Sequence, residues 1–272
     1  MACESIAVAI EGAIAHVEMT RPEKANAMDA AFWRELPATM ARLDAEGRVR
    51  AIVLSGRGRH FSAGIDLAML RDMAPDPKAD PARVREALRR RIRTLQESFT
   101  AIERCRKPVI AAIHGVCFGA AMDLVTACDL RYASDDARFA IREINIGMVA
   151  DVGTLQRAPH LLPQGILREL AYSGREMTAA EAAHYGFVNR VAPSRDDAIA
   201  AAMEMARTIA GKSPLAIAGT KQVLNHARDH SVADGLDYVA TWNAGMLPGA
   251  DVMKGAAAAL GGRAPDYDDL DD

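Results

Sequence analysis

The run P-V-I-A-A-I-H-G (residues 108–115) places five apolar residues in a row, Val109 to Ile113, and closes on a glycine. It is followed at once by V-C-F (116–118) and then by G-A-A-M-D-L-V-T-A-C (119–128), which opens on small residues and continues at helical spacing. An apolar run this short, bounded by turn signals, reads as a strand buried on both faces, the kind found in parallel sheets covered by helices. A-I-V-L-S-G (51–56) is a second strand of the same kind. Working outward, I-A-V-A-I-E-G-A-I-A-H-V-E-M-T (6–20) alternates in polarity and turns near Gly12, which predicts a hairpin. D-L-R-Y-A-S (129–134) and A-R-F-A-I (137–141) are two further short strands. Between these lie helices: one opening at Met28 and carrying Phe32, Leu36 and Leu43, and a long amphipathic one through Val84, Leu88, Ile92, Leu95, Phe99 and Ile102. Strands alternating with helices argue for α/β layers with much parallel pairing.

From about Pro193 the pattern is helical only, with segments at 196–210, 214–226, 232–246 and 252–260. The chain is therefore expected to divide into a mixed core, residues 1–194, and a helical region, residues 195–272. The last seven residues, D-Y-D-D-L-D-D, are acidic enough to predict disorder. The Pro/Asp-rich stretch 73–81 is expected to be mobile.

At 272 residues, half of them hydrophobic and a quarter charged, the chain can bury a sizeable core. A net charge of −3 gives no general attraction to nucleic acid or to an anionic membrane. No apolar run reaches the roughly 20 residues that span a bilayer. The start, M-A-C-E-S-I-A-V, lacks the basic and apolar pattern of a secretory signal. Four cysteines (Cys3, Cys105, Cys117, Cys128) form no disulfide-scaffold pattern, so reduced thiols and a cytoplasmic setting are expected. His114 and Cys117 stand close but without partners, so no metal site is expected. Six arginines (Arg83, Arg85, Arg89, Arg90, Arg91, Arg93) on the long helix read as an anion-binding face or as a solvated face or subunit contact. The acidic balance of the chain favours the second.

Three segments place small residues where backbone N–H groups come free for a ligand: 60–67, 114–124 and 140–157. Each alone is a tight turn with a buried helix start. Together they gather Asp123, Glu143 and Asp151 in apolar surroundings, where a carboxylate is costly unless paired or put to use. For Glu143 and Asp151, pairing with Arg142, Arg157 or a helix N-terminus is the structural explanation.

Four motifs carry a resemblance: R-P-E-K-A-N-A-M-D (21–29), F-S-A-G-I-D-L (61–67), K-P-V-I-A-A-I-H-G-V-C-F-G-A-A-M-D-L (107–124) and G-T-L-Q-R (153–157). Through them the chain resembles the enoyl-CoA hydratase/isomerase (crotonase) superfamily over essentially its whole length. The resemblance implies a ββα spiral core with the acyl-CoA site, and a C-terminal helical trimerisation region giving a homotrimer or a dimer of trimers. It implies an acyl-CoA thioester substrate, with no cofactor beyond the coenzyme A that the substrate carries. The backbone N–H groups of Ile65 and Ala120 would form an oxyanion hole, and Lys24, Ala25 and Ala63 would contact the CoA. G-A-A stands here where many relatives have G-G-G, but a main-chain donor survives that change.

Ordinary hydratases of the superfamily use two glutamates, at positions 123 and 143, and carry glycine at 151. Here the trio is Asp123, Glu143 and Asp151, similar to that of the Δ3,5-Δ2,4-dienoyl-CoA isomerases. The likeness extends to residues 150–157 and 229–243. It implies that Asp151 takes a proton from C2, that Glu143 delivers one to C6, and that Asp123 orients the substrate or tunes its neighbours. The rivals are a hydratase or another crotonase enzyme, and a nucleic-acid-binding or scaffolding protein that has kept the fold.

Overall fold

The computed structural model describes residues 5–71, 79–247 and 249–270. It opens with the hairpin of β1 (Ile6–Glu11) and β2 (Ile14–Met19), which turns at Gly12 with φ 59°. Helix α1 (Ala30–Ala45) leads to β3 (Ala51–Gly56), and α2 (Ala68–Arg71) and the long α3 (Pro81–Arg104) precede β4 (Val109–Ile113). Then come β5 (Val116–Phe118), α4 (Ala120–Ala127), β6 (Leu130–Ser134) and β7 (Arg138–Ala140). The short α5 (Thr154–Arg157), α6 (Gln164–Ser173), β8 (Met177–Thr178), α7 (Ala179–His184) and β9 (Arg190–Ala192) follow. The remainder is α8 (Arg195–Ala210), α9 (Pro214–Asp229), α10 (Val232–Met246) and α11 (Ala250–Leu260).

Six strands form one sheet in the order β1-β2-β3-β4-β6-β9, antiparallel at the hairpin and parallel elsewhere. A smaller sheet, β5-β7-β8, stands beside it in the chain path. The alternation of side chains along β4 explains its uniform apolarity. Val109, Ala111 and Ile113 face a core shared with Leu36, Phe99 and Leu124. Ile110 and Ala112 face the other way, onto Ala201, Ala202 and Ala206 of α8. Both faces are covered, so neither set can be polar. The alanine stripe makes α8 a layer of the core.

Local signals set the helices. Asp29 caps α1 by accepting from the N–H of Phe32 at 2.9 Å. Pro37 lies inside α1 and has no N–H for the Trp33 carbonyl; the Ser98 hydroxyl of α3 donates to that oxygen instead, at 3.1 Å. Asp80 caps α3, with Pro81 at its first position. The first half of α3 is solvated, and Glu86 pairs with Arg89 and Arg90 on its surface.

One expectation changes, and another lies mostly outside the described residues. The acidic tail is not free as far as residue 270: the Arg50 guanidinium donates to the Tyr267 carbonyl at 2.6 Å and to Asp269 at 2.7 Å, and Lys254 pairs with Asp268. A charge run is disordered only when nothing nearby neutralises it, and Arg50 does. The mobile stretch expected at 73–81 falls mostly outside the described residues, and its end, Pro81, begins α3. Among the described residues no helix is long and apolar enough to cross a membrane.

Candidate active site

The site is built where two chain reversals meet. Ser62 pairs with Cys117 and Met28 with Ile65 in isolated parallel bridges. Gly64 has φ 93°, and a Cβ there would lie 2.6 Å from the Phe118 carbonyl oxygen and 3.1 Å from the Ala120 nitrogen. Only glycine allows the two loops to approach so closely. Around Ile65, the Met28 N–H donates to the Gly64 carbonyl at 2.8 Å and the Asp66 N–H to the Met28 carbonyl at 3.0 Å. This bridge uses the groups on either side of Ile65 and leaves its own N–H out. Ala120 is the first residue of α4, where a helix has no internal acceptor for the N–H. Among the described residues neither N–H has a backbone acceptor, and the loops bring the two together. The positive end of α4 adds to the attraction for a negative oxygen.

The three carboxyl groups converge on the same place. Asp123 lies one turn into α4, with its residue fully buried. Its Oδ1 accepts from the N–H of Thr154, the first residue of α5, at 2.5 Å, and its Oδ2 has no partner. Burial, and after it the charge of Glu143, pushes the Asp123 carboxyl up to about 7. Glu143 opens a 3-10 turn, Glu143–Ile146, and its Oε2 is buried and unpartnered. Burial raises its pKa, and the charge of Asp151 adds to the rise. Asp151 is half-buried, and burial raises it as well. Gly119, at φ 55°, lets Glu143 lean over the Ala120 loop, since a Cβ there would meet Glu143 Oε1 at 3.3 Å. Beyond Glu143 opens a cavity of about 350 Å³ walled by Ile141, Met148, Leu155, Leu167 and Ala171, apolar enough for a hydrocarbon chain.

For Glu143 and Asp151 the structural explanation is not the arrangement seen, whereas Asp123 does engage a helix N-terminus, through the Thr154 N–H. Arg142 turns away to Glu176 at 2.6 Å and lies over the Phe118 ring, and Arg157 pairs with Glu103 at 2.7 Å. What is left is a set of carboxyls with raised proton affinity, two of them with an unengaged oxygen, beside two free N–H donors. Such a set can take a proton from one carbon, return one to another, and hold an oxyanion between.

Lys24, Ala25 and Ala63 come together on the rim. The Ala63 N–H donates to the Ala25 carbonyl at 2.9 Å, and the Ala25 N–H to that of Pro22 at 3.0 Å, so both amides are already used. Lys24 is exposed beside them. Sequence reasoning missed the post behind this rim, Asn26. It is buried with φ 51°, donates from Nδ2 to the carbonyls of Arg57 and His60, both at 2.8 Å, and accepts from the Arg21 N–H at 3.0 Å. The signal was an asparagine in a loop, the non-glycine residue that best tolerates the left-handed region.

The family model for enoyl-CoA hydratase/isomerase matches residues 9–269, and the chain belongs to that family. Among its relatives, the mitochondrial Δ3,5-Δ2,4-dienoyl-CoA isomerase of Rattus norvegicus is 46% identical over 249 residues, 91% of this chain and 76% of that protein. The peroxisomal enzyme of that name from Arabidopsis thaliana is 43% identical, over 94% of this chain and 93% of its own. The fold is the crotonase fold: the crystal structure of an enoyl-CoA hydratase from Bacillus anthracis superposes with a TM-score of 0.88 at 28% identity, covering 97% of this chain and 99% of that one. The relatives' names overturn the expected cytoplasmic setting, since they are mitochondrial or peroxisomal. The inference failed because Cys105, Cys117 and Cys128, which are buried and free, are shielded from oxidants by the fold and do not report a compartment.

Proposed function

We propose that the chain moves the two double bonds of a 3,5-dienoyl-CoA into conjugation with the thioester, giving the 2,4-dienoyl-CoA. Asp151 takes the C2 proton, and the electrons of that C–H bond flow into the thioester carbonyl to make a dienolate. The N–H groups of Ile65 and Ala120 hold its oxygen. Glu143 then delivers a proton to C6 as the electrons return along the chain, leaving double bonds at C2 and C4. One proton leaves and one arrives, so no cofactor and no added water are required. Coenzyme A belongs to the substrate, its adenosine end beside Lys24, Ala25 and Ala63. Burial, and after it the charge of Asp151, raises the proton affinity of Glu143, the direction this exchange needs. Asp123 sits behind the pair and orients the substrate or tunes its neighbours.

The observation that carries this reading is the third carboxylate. Asp151 has no cationic partner among the described residues and stands with Asp123 and Glu143, and relatives bearing the dienoyl-CoA isomerase name align across the chain. The region after residue 195 is assigned to oligomerisation, as a homotrimer or a dimer of trimers; Leu224, Val232, Leu236 and Met253 are exposed there. The test is incubation with a 3,5-dienoyl-CoA. The expected product has the new ultraviolet band of the 2,4-conjugated system and an unchanged mass. A product that has gained water, with no conjugated diene, would make the chain a hydratase.

A further inference from the structure

The loop that carries Asp151 is held from two sides. On one, the Thr154 N–H is fixed by Asp123 at 2.5 Å. On the other, Gln96 of α3 donates from Nε2 to the Asp151 carbonyl oxygen at 2.6 Å. One residue on, the Arg157 Nη1 donates to the Val152 carbonyl at 3.3 Å. Arg157 is itself anchored on α3, its Nη2 lying 2.7 Å from Glu103 Oε2 and 3.3 Å from Thr100 Oγ1. Glu103 also receives Arg228 of α9, so the clamp reaches the C-terminal helices. Gly153 has φ 134°, and a Cβ there would lie 1.7 Å from Arg157 Nη1, so the guanidinium fills the place a side chain would take. The ion pair is well shielded, with the Arg157 and Glu103 side chains 12% and 13% exposed.

We propose that Gln96, backed by the Arg157–Glu103–Arg228 bridge, is a positioning residue for Asp151: it fixes the carboxylate by gripping its main chain. The proposal rests on the reading of Asp151 as the base at C2. Gln96 touches neither substrate nor reacting atoms. Its effect is geometric, and misplacing a reacting group by about 1 Å costs on the order of 10²-fold in rate. An apolar side chain would serve packing equally well at this half-buried position; the amide is needed because the Asp151 carbonyl has no other donor among the described residues.

The experiment compares wild type, Gln96→Met, Gln96→His and Asp151→Asn, following both turnover of a 3,5-dienoyl-CoA and exchange of its C2 proton in deuterated water. Gln96→Met keeps the length and loses the donor. Its kcat should fall about 10- to 100-fold with KM within about twofold, and C2 exchange should fall in the same proportion. Gln96→His, which restores an N–H at similar reach, should recover most of both rates. A purely structural role would not give that recovery. If Gln96→Met does not fold, Gln96→Leu, which also lacks the donor, carries the test with the same expected signs. Wild-type turnover and exchange in a folded donor-less variant, or a loss confined to KM, overturns the clamp. Asp151→Asn separates this from the underlying reading: if it still exchanges C2 at the wild-type rate, Asp151 is not the base, whatever Gln96 does.

Discussion

Burial holds the Asp123 carboxyl near neutrality, and that costs stability. A carboxyl whose pKa rises from 3.8 to about 7 on folding weakens the fold by roughly 4 kcal/mol once it is ionised, at about 1.4 kcal/mol per tenfold change in acidity. Below about pH 4 both folded and unfolded chains carry the proton, and there is no penalty. Between about pH 4 and 7 the unfolded chain releases it while the folded chain keeps it, so stability falls as pH rises and levels off above. Asp123→Asn keeps the Oδ1 acceptor for Thr154 and removes this dependence. Followed by thermal unfolding from about pH 4 to pH 8, its stability relative to wild type should improve with rising pH, while isomerisation is impaired. A relative stability that worsens as pH rises would mean that Asp123 is ionised and paired in the folded state. At this scale the sequence is informative wherever a side chain is costly where it stands, as with carboxylates in the apolar run 140–157. It is silent on Gln96, because a glutamine on an exposed-looking helix carries no such tension and its partner lies 55 positions away.

Helix α4 shows what an element contributes beyond its residues. Its first N–H points at the site because nothing precedes it in the helix, and Gly119, at φ 55°, turns the chain so that it does. Proline at the first helical position is well tolerated, since the N–H it lacks is unpaired there anyway. Ala120→Pro therefore removes the donor with little harm to the helix. Losing one oxyanion donor typically costs about 10²–10³ in kcat, and Ala120→Pro should fall by that much with its thermal midpoint nearly unchanged. Ile65→Ala, which keeps its N–H, should retain most activity. A folded, fully active Ala120→Pro enzyme would take Ala120 out of the oxyanion hole. The long elements were legible in the sequence because their periodicity runs over many residues: β4 and the stripe on α3 were placed within a residue or two. The strands β8 and β9, two and three residues long, and the short α7 were not, because nothing that brief repeats.

Across the whole molecule, helical propensity after residue 195 was plain, but what those helices pack against was not. Ala201, Ala202 and Ala206 look like ordinary helix formers, yet they let α8 lie on the sheet. Lys221 of α9 is a similar case. It reads as a surface residue and is 6% exposed, its ammonium donating to the Ile102 carbonyl at 2.9 Å, the Lys107 carbonyl at 3.1 Å and Asp129 Oδ2 at 2.8 Å. Asp129 Oδ2 also accepts from the Val109 N–H at 2.7 Å, so one lysine ties α9 to the end of α3, the start of β4 and the turn before β6. Removing one partner of a buried pair leaves the other charge uncompensated, at a cost of about 3–5 kcal/mol. Asp129 is 27% exposed, so water relieves part of this and the low end applies. Lys221→Met, which keeps the stem and drops the charge, should lower stability by about 3 kcal/mol, a drop of roughly 6–12 °C in thermal midpoint for a chain of this size. Adding Asp129→Asn should return part of the loss, because the orphaned charge goes with it. Hydrogen exchange locates the effect: amides of α9 should lose protection first, while those of β3 and β4 keep theirs. Loss spread evenly over the sheet and α9 would mean that α9 and the core open as one unit, and that Lys221 is a member of the core and not its tie to the C-terminal helices.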